Sequence, residues 1–258
     1  MRTFNKRSKI WGFVFLFFIV LALEILSIND IIPSLFLPPP SQIFAALYKL
    51  MFSASYWVDL SASFERMATG YLIAVVVAVL IGTLMGSSRF IYNLLEPFIE
   101  IIRPIPSVAI IPAAILFLGI GNVMKISIIA YASIWPILIN TIDGIRNVDP
   151  LQIDTGKVFG LKNWQIIKDI RLPNAAPYIL SGMRISLAIT LILTVTVEMV
   201  SGSNGIGLFV LNSQRSFNIP EMYAGIITVA VTGYLLNKIF LLIELKFMRW
   251  NKKLTRQK

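Results

Sequence analysis

The chain has 258 residues, no cysteine and no histidine, with 57% of its residues hydrophobic and only 14% charged; soluble domains average roughly 45–50% apolar and 25% charged, so most of this chain belongs in lipid. Without Cys or His there is no thiolate or imidazole metal ligand, no cysteine nucleophile and no Ser-His pair, which excludes an intramembrane protease of the Ser-His kind. The net charge of +10 sits at the ends of apolar runs, where Lys and Arg orient helices, and does not argue for nucleic acid.

A bilayer core of about 30 Å needs about 20 helical residues per crossing. The first apolar run, 10–28, follows Arg2, Lys6, Arg7 and Lys9. It is too long for a signal-peptide core and no small-residue cleavage site follows, so a retained first helix is expected, with Glu24 near its outer end. Residues 29–69 read as a long outer loop, in which Leu37-Pro38-Pro39-Pro40-Ser41-Gln42 makes a stiff turn before an amphipathic stretch from Ile43. Further spans are expected at 70–86, 105–120, 126–142, 178–200 and 222–245. Between the second and third, Asn93, Glu96, Glu100 and Arg103 recur opposite Phe90, Leu94, Leu95 and Phe98, the pattern of a helix with one wet face.

Six spans with both termini inside place all but five of the 23 Lys and Arg on the cytoplasmic side. Lys49, Arg66, Lys125 and Arg215 fall outside, and Lys238 lies within the last run. The positive-inside rule supports this arrangement and makes 143–177 cytoplasmic. With no cluster of Lys or Arg in the membrane, the expected passage is mildly polar and holds no tight anion site. No internal repeat or interdomain linker is visible, so residues 1–258 read as one membrane domain, all-α and polytopic.

Residues 149–173 are a polar, Gly-hinged segment between apolar runs. Pro150 suits a helix's first turn, and Gly160 can take the left-handed conformation that ends one. Asn163 can cap a second helix with Trp164, Ile167 and Ile170 along one face, and Pro173 is expected to stop it before Pro177 opens the next span. Periodicity alone allows two readings of this hairpin: an amphipathic connector on the inner leaflet, or a docking surface for a soluble partner. Farther on, Ser186, Thr190, Thr194 and Glu198 recur every four residues along one helix face. Such a stripe either bonds its own backbone and a neighbouring helix or lines a wet passage, and an acid at membrane depth is functional by default. Ser127, Tyr131 and Trp135 share the same spacing.

The loop's spacing, Gly160 followed by Ile170, Leu172 and Pro173, resembles the cytoplasmic EAA loop of ABC-importer permeases, with Asp154-Thr155-Gly156 where the family has Glu-Ala-Ala. Arg103-Pro104-Ile105-Pro106, Gly119-Ile120-Gly121, Gly182-Met183-Arg184 and Glu198 resemble its nitrate, sulfonate and taurine branch. The resemblance implies a type I ABC-importer permease fold of about six transmembrane helices with cytoplasmic termini, its core roughly 60–245. It implies that Asp154, Thr155, Gly156, Gly160, Leu161, Ile170, Leu172 and Pro173 form the ATPase-coupling loop. Ser186, Thr190, Thr194, Glu198 and Tyr131 are the expected translocation-path residues.

The implied partners are ATP-binding cassette ATPase subunits, a second permease copy in a homodimer, an extracytoplasmic solute-binding protein contacted near 202–207, and the lipid of a bacterial or archaeal plasma membrane. No phosphate-binding Gly-x-x-x-x-Gly-Lys-Ser/Thr motif occurs, so no cofactor is expected on this chain, and ATP with Mg would be held by the partner ATPase. The chain is expected to be a non-catalytic transport subunit; an ion-gradient-driven secondary transporter or channel is the alternative from another class.

Overall fold

The computed structural model describes residues 6–247. Eleven α-helices follow one another among them, with no strand: α1 (Lys6–Ile28), α2 (Pro40–Met51), α3 (Ala54–Ser87), α4 (Arg89–Ile102), α5 (Ser107–Leu118), α6 (Asn122–Arg146), α7 (Pro150–Val158), α8 (Asn163–Gln165), α9 (Leu172–Ser201), α10 (Ile206–Arg215) and α11 (Ile219–Phe247).

Three of them, α3, α6 and α9, make the core. Along α3, Gly70, Ala74, Ala78 and Gly82 repeat every fourth residue and are all buried, so this face is nearly flat. Lipid tails are as apolar as the side chains, so membrane helices associate through close backbone approach at such small residues. A Cβ on Gly70 would lie 2.6 Å from Ile129 Cγ2, one on Gly82 2.7 Å from Thr141 Cβ, and one on Gly86 2.7 Å from Ile145 Cβ. The offset between partners stays the same in all three pairs, so α3 and α6 run parallel and in register. Helix α9 returns antiparallel: Ser186 and Thr190 meet Ser133, and Gly182 abuts the Pro136 carbonyl.

Among the described residues, four continuous helices are long and apolar enough to cross a membrane: Ala54–Ser87, Asn122–Arg146, Asn163–Ser201 and Ile219–Lys246. They contain the second, fourth, fifth and sixth expected spans. The third expected span, 105–120, is corrected: α5 is only 12 residues long and is not a continuous span, but one arm of an apolar helix pair with α4, bent by 95° at Arg103–Pro106. Two prolines within three residues prevent the helix from continuing. The first expected span falls on α1, whose described apolar stretch is Phe17–Ile28. The outer loop is shorter than expected, because α3 starts at Ala54 and carries Arg66 inside it. Glu24 anchors α1 to α2 by accepting from the Ser41 N–H at 2.9 Å and its hydroxyl at 2.6 Å.

Candidate docking loop and buried charge cluster

Residues 149–173 form a hairpin whose ends are tightly specified. The Asp149 carboxylate accepts from the Leu151 N–H at 2.9 Å, and Pro150 occupies the first turn of α7. At the other end Gly160 has φ 78°. Its N–H donates to the Lys157 carbonyl at 2.9 Å, and Leu161 N–H donates to the Gly156 carbonyl at 3.0 Å. This pair of bonds is the Schellman termination, which needs a left-handed residue and so favours glycine.

The returning arm differs from its expectation in two ways. Lys162, not Asn163, is the N-cap residue, with its N–H held by the Gln165 side chain at 2.8 Å. Pro173 does not stop the helix. Residues Ile166–Arg171 form a π-turn in which Leu172 N–H reaches back to the Ile167 carbonyl, and the helix runs on without a break from Asn163 to Ser201. A proline lacks an N–H and crowds the carbonyl four residues earlier; widening the preceding turn relieves both problems. The wider turn also changes which residues face α7. Ile166 is buried and Ile170 packs on Gly156, while Trp164 is exposed.

Gly156 is buried inside the hairpin. A Cβ there would sit 2.7 Å from Ile170 Cδ1 and 3.3 Å from Leu161 Cδ1. It serves the close packing of the two arms, which offsets its helix-propensity cost of about 1 kcal/mol relative to Ala. Thr155 bonds the Leu151 carbonyl at 2.7 Å, and Asp154 pairs with Lys157 at 2.9 Å on the surface. Leu172 is half-buried and Pro173 exposed. The sequence reading missed the most prominent feature here: Leu151, Val158 and Phe159 are 72%, 86% and 81% exposed. With Gln152, Thr155, Leu161 and Ile170, Leu151 and Phe159 line an open hollow of about 450 Å³. The signal was present as apolar residues in an otherwise polar loop.

At the opposite end of the core, Arg66 and Glu198 form a buried ion pair at 2.8 Å. The Glu198 carboxylate also accepts from Ser63 Oγ at 2.8 Å and from Gly207 N–H at 3.0 Å. Arg66 donates to Asn122 Oδ1 at 2.8 Å, to the Asn204 carbonyl at 3.0 Å and to the Asn204 side chain. Gly205 has φ 121°, donates to Asp59 at 2.8 Å, and would put a Cβ 2.3 Å from the Glu198 carboxyl carbon. The cluster therefore bolts α3, α6 and α9 to the 202–207 turn. Arg66 and Lys125, counted on the outer side of the membrane, are both buried.

The Ser186, Thr190, Thr194 and Glu198 stripe is buried too. Ser186 donates to the Ser133 carbonyl at 2.7 Å, the Thr190 and Ser133 hydroxyls meet at 2.7 Å, and Thr194 bonds the Thr190 carbonyl at 2.8 Å. In this single chain Ser186 and Thr190 thus bond across to α6, and Thr194 bonds its own helix. Tyr131 lies elsewhere: half-buried, it donates to the Ile102 carbonyl at 2.8 Å.

A helical bundle with four helices long and apolar enough to cross a membrane, and an apolar-tipped hairpin at one end, defines a multi-pass membrane protein. The sequence profile of the family described as "Binding-protein-dependent transport system inner membrane component" matches residues 70–249, and the chain belongs to that family: it is an ABC-importer permease. It is 34% identical to the putative aliphatic sulfonates transport permease protein of Bacillus subtilis, over 83% of this chain and 78% of the relative. It is 32% identical to the nitrate import permease protein of Synechocystis, over 81% and 79%. It is 29% identical to the taurine transport system permease protein of Escherichia coli, over 86% and 82%. Its fold is similar to that of the MetNI methionine ABC transporter in an inward-facing conformation, at 18% identity, TM-score 0.64, 74% of this chain and 96% of that one. A bacterial alginate ABC transporter in complex with a periplasmic protein gives 12% identity, TM-score 0.63, 98% and 99%.

Proposed function

We propose that the chain, as a single membrane domain with its core at roughly 60–245, carries a small oxyanion such as nitrate or a sulfonate inward by alternating access. In this reading two copies enclose the passage. Residues 149–173 face the cytoplasm and seat in a separate ATPase, which holds ATP and Mg and hydrolyses the nucleotide. A solute-binding protein delivers the solute at the opposite end, near 202–207.

The observation that carries this reading is the hairpin. A coupling element must transmit rigid-body motion, so it should be short, capped at both ends and shape-specific. Residues 149–173 meet these requirements and present Leu151, Val158 and Phe159 for burial against a partner. Burial of such side chains contributes roughly 1.5–3 kcal/mol each. The substrate class is supported by the sulfonate, nitrate and taurine relatives.

The test is uptake of nitrate and a short alkanesulfonate into proteoliposomes holding the chain, its ATPase and its binding protein. ATP-dependent accumulation of either anion is expected. Uptake that follows an ion gradient and needs no ATPase would instead indicate a secondary transporter.

A further inference from the structure

The polar residues of α4, read from sequence as the wet face of an inner loop helix, lie alongside α6, a helix long and apolar enough to cross a membrane. Two independent rulers place them there. Arg146, at the loop end of α6, stacks on the Tyr92 ring at 3.5 Å, and ten residues of α4 then rise about 15 Å to Ile102. On α6, Tyr131 bonds the Ile102 carbonyl, and Tyr131 stands about 22 Å from Arg146 and about 13 Å from Asn122 at 1.5 Å per residue. The elbow at Arg103–Pro106 therefore sits beside the middle stretch of α6, well away from both of its ends.

Helix α4 has three faces rather than two. Ile91, Leu95 and Ile99 pack on the core. Phe90, Leu94, Phe98 and Ile101 are exposed and apolar, which suits lipid or a second copy. Asn93, Glu96, Glu100 and Arg103 form the third face, climbing from the loop end to the elbow. Arg103 is exposed, and no hydrogen bond or ion pair reaches its guanidinium among the described residues. A bare guanidinium at this depth is too far from either surface to snorkel, and it is stable only against water or an opposite charge.

We propose that the stripe Asn93, Glu96, Glu100 and Arg103 lines the loop-end half of the solute passage, and that Arg103 at its top engages an oxyanion in transit. This inference rests on the transport reading above. The planar guanidinium offers two parallel donors that match two oxygens of nitrate, sulfonate or carboxylate. In a two-copy assembly each half contributes one such arginine, the arrangement that selects anions in pores. An anion moving from Arg103 toward the loop end next meets Glu100, a carboxylate, so no second resting point adjoins the first.

The chain contains no cysteine, so Arg103→Cys and Phe98→Cys each create a single thiol in the assembled importer. With the membrane-impermeant, anionic sulfonatoethyl methanethiosulfonate as probe, Arg103→Cys should react at least tenfold faster than Phe98→Cys. Equally slow modification would mean lipid or a second copy covers position 103, and would overturn the passage assignment. In the uptake assay Arg103→Gln should lower anion uptake at least tenfold at equal amounts of membrane-inserted protein, with Arg103→Lys in between. Unchanged uptake by Arg103→Gln would overturn the role of the guanidinium. A parent importer that moves neither anion would refute the substrate class, and the modification rates alone would then decide whether position 103 faces a passage.

Discussion

The two ends of the α3–α6–α9 core use charge and glycine in opposite ways. At the far end, Arg66 and Glu198 are buried and every carboxylate oxygen is bonded, while Gly205 removes the side chain that would collide with them. At the loop end, Asp154 and Lys157 are exposed, and Gly160 turns the chain so that apolar Val158 and Phe159 face outward. The first arrangement is complete within one chain and holds helices together. The second leaves apolar side chains exposed in this chain, and in the reading proposed above a partner ATPase covers them. A charged residue in a membrane chain is thus informative through its burial and bonding rather than its presence.

Breaking the far end should have the largest effect. Glu198→Ala leaves Arg66 buried without its counter-charge, and removal of one member of such a pair costs about 3–5 kcal/mol. The expected result is a large fall in membrane-inserted yield and in the thermal transition of the detergent-solubilised chain, and an unchanged transition would remove the bolt from the account. Gly205→Ala probes the same cluster less severely. A non-glycine residue in such a backbone region costs about 1–3 kcal/mol, and the added Cβ meets the carboxylate, so a clear but smaller loss of thermal stability is expected.

The loop end sharpens the contrast through Gly160, where an added Cβ meets nothing within 4 Å. Alanine and tryptophan there share the left-handed strain of about 1–2 kcal/mol and differ only in outward bulk. Gly160→Ala should keep ATPase stimulation by substrate and binding protein, and Gly160→Trp should abolish it at similar thermal stability. Equal coupling in both variants would show that nothing docks on this face. The smallest effect is expected for Asp154→Ala: its exposed pair with Lys157 is worth at most about 1 kcal/mol, so stability measured by thermal unfolding should barely move.

Much of this architecture was legible in the sequence because membrane burial writes itself as apolar runs. The helices around 70–86, 126–142, 178–200 and 222–245 follow from composition alone, and the left-handed turn at Gly160 follows from its place after α7. The elbow at Arg103–Pro106 was not legible as such. Its prolines were visible, but nothing local tells whether an interrupted run lies across the bilayer or along its surface. The π-turn before Pro173 was hidden for a related reason, since proline marks a disturbed turn without saying whether the helix ends or widens. Arg66 and Glu198 lie 132 positions apart, and only the packing of α3 on α9 unites them. The four-residue spacing from Ser186 to Glu198 makes one helix face legible, but which neighbour that face meets is a tertiary fact.

The central claim is that Val158 and Phe159 are the surface through which this permease meets its ATPase. The direct measurement is the binding affinity of the purified ATPase for the detergent-solubilised chain and for its Val158→Glu, Phe159→Glu double variant. Both side chains are more than four-fifths exposed, so the variant should keep its thermal transition and lose at least tenfold in affinity. Unchanged affinity at an unchanged transition would contradict the account.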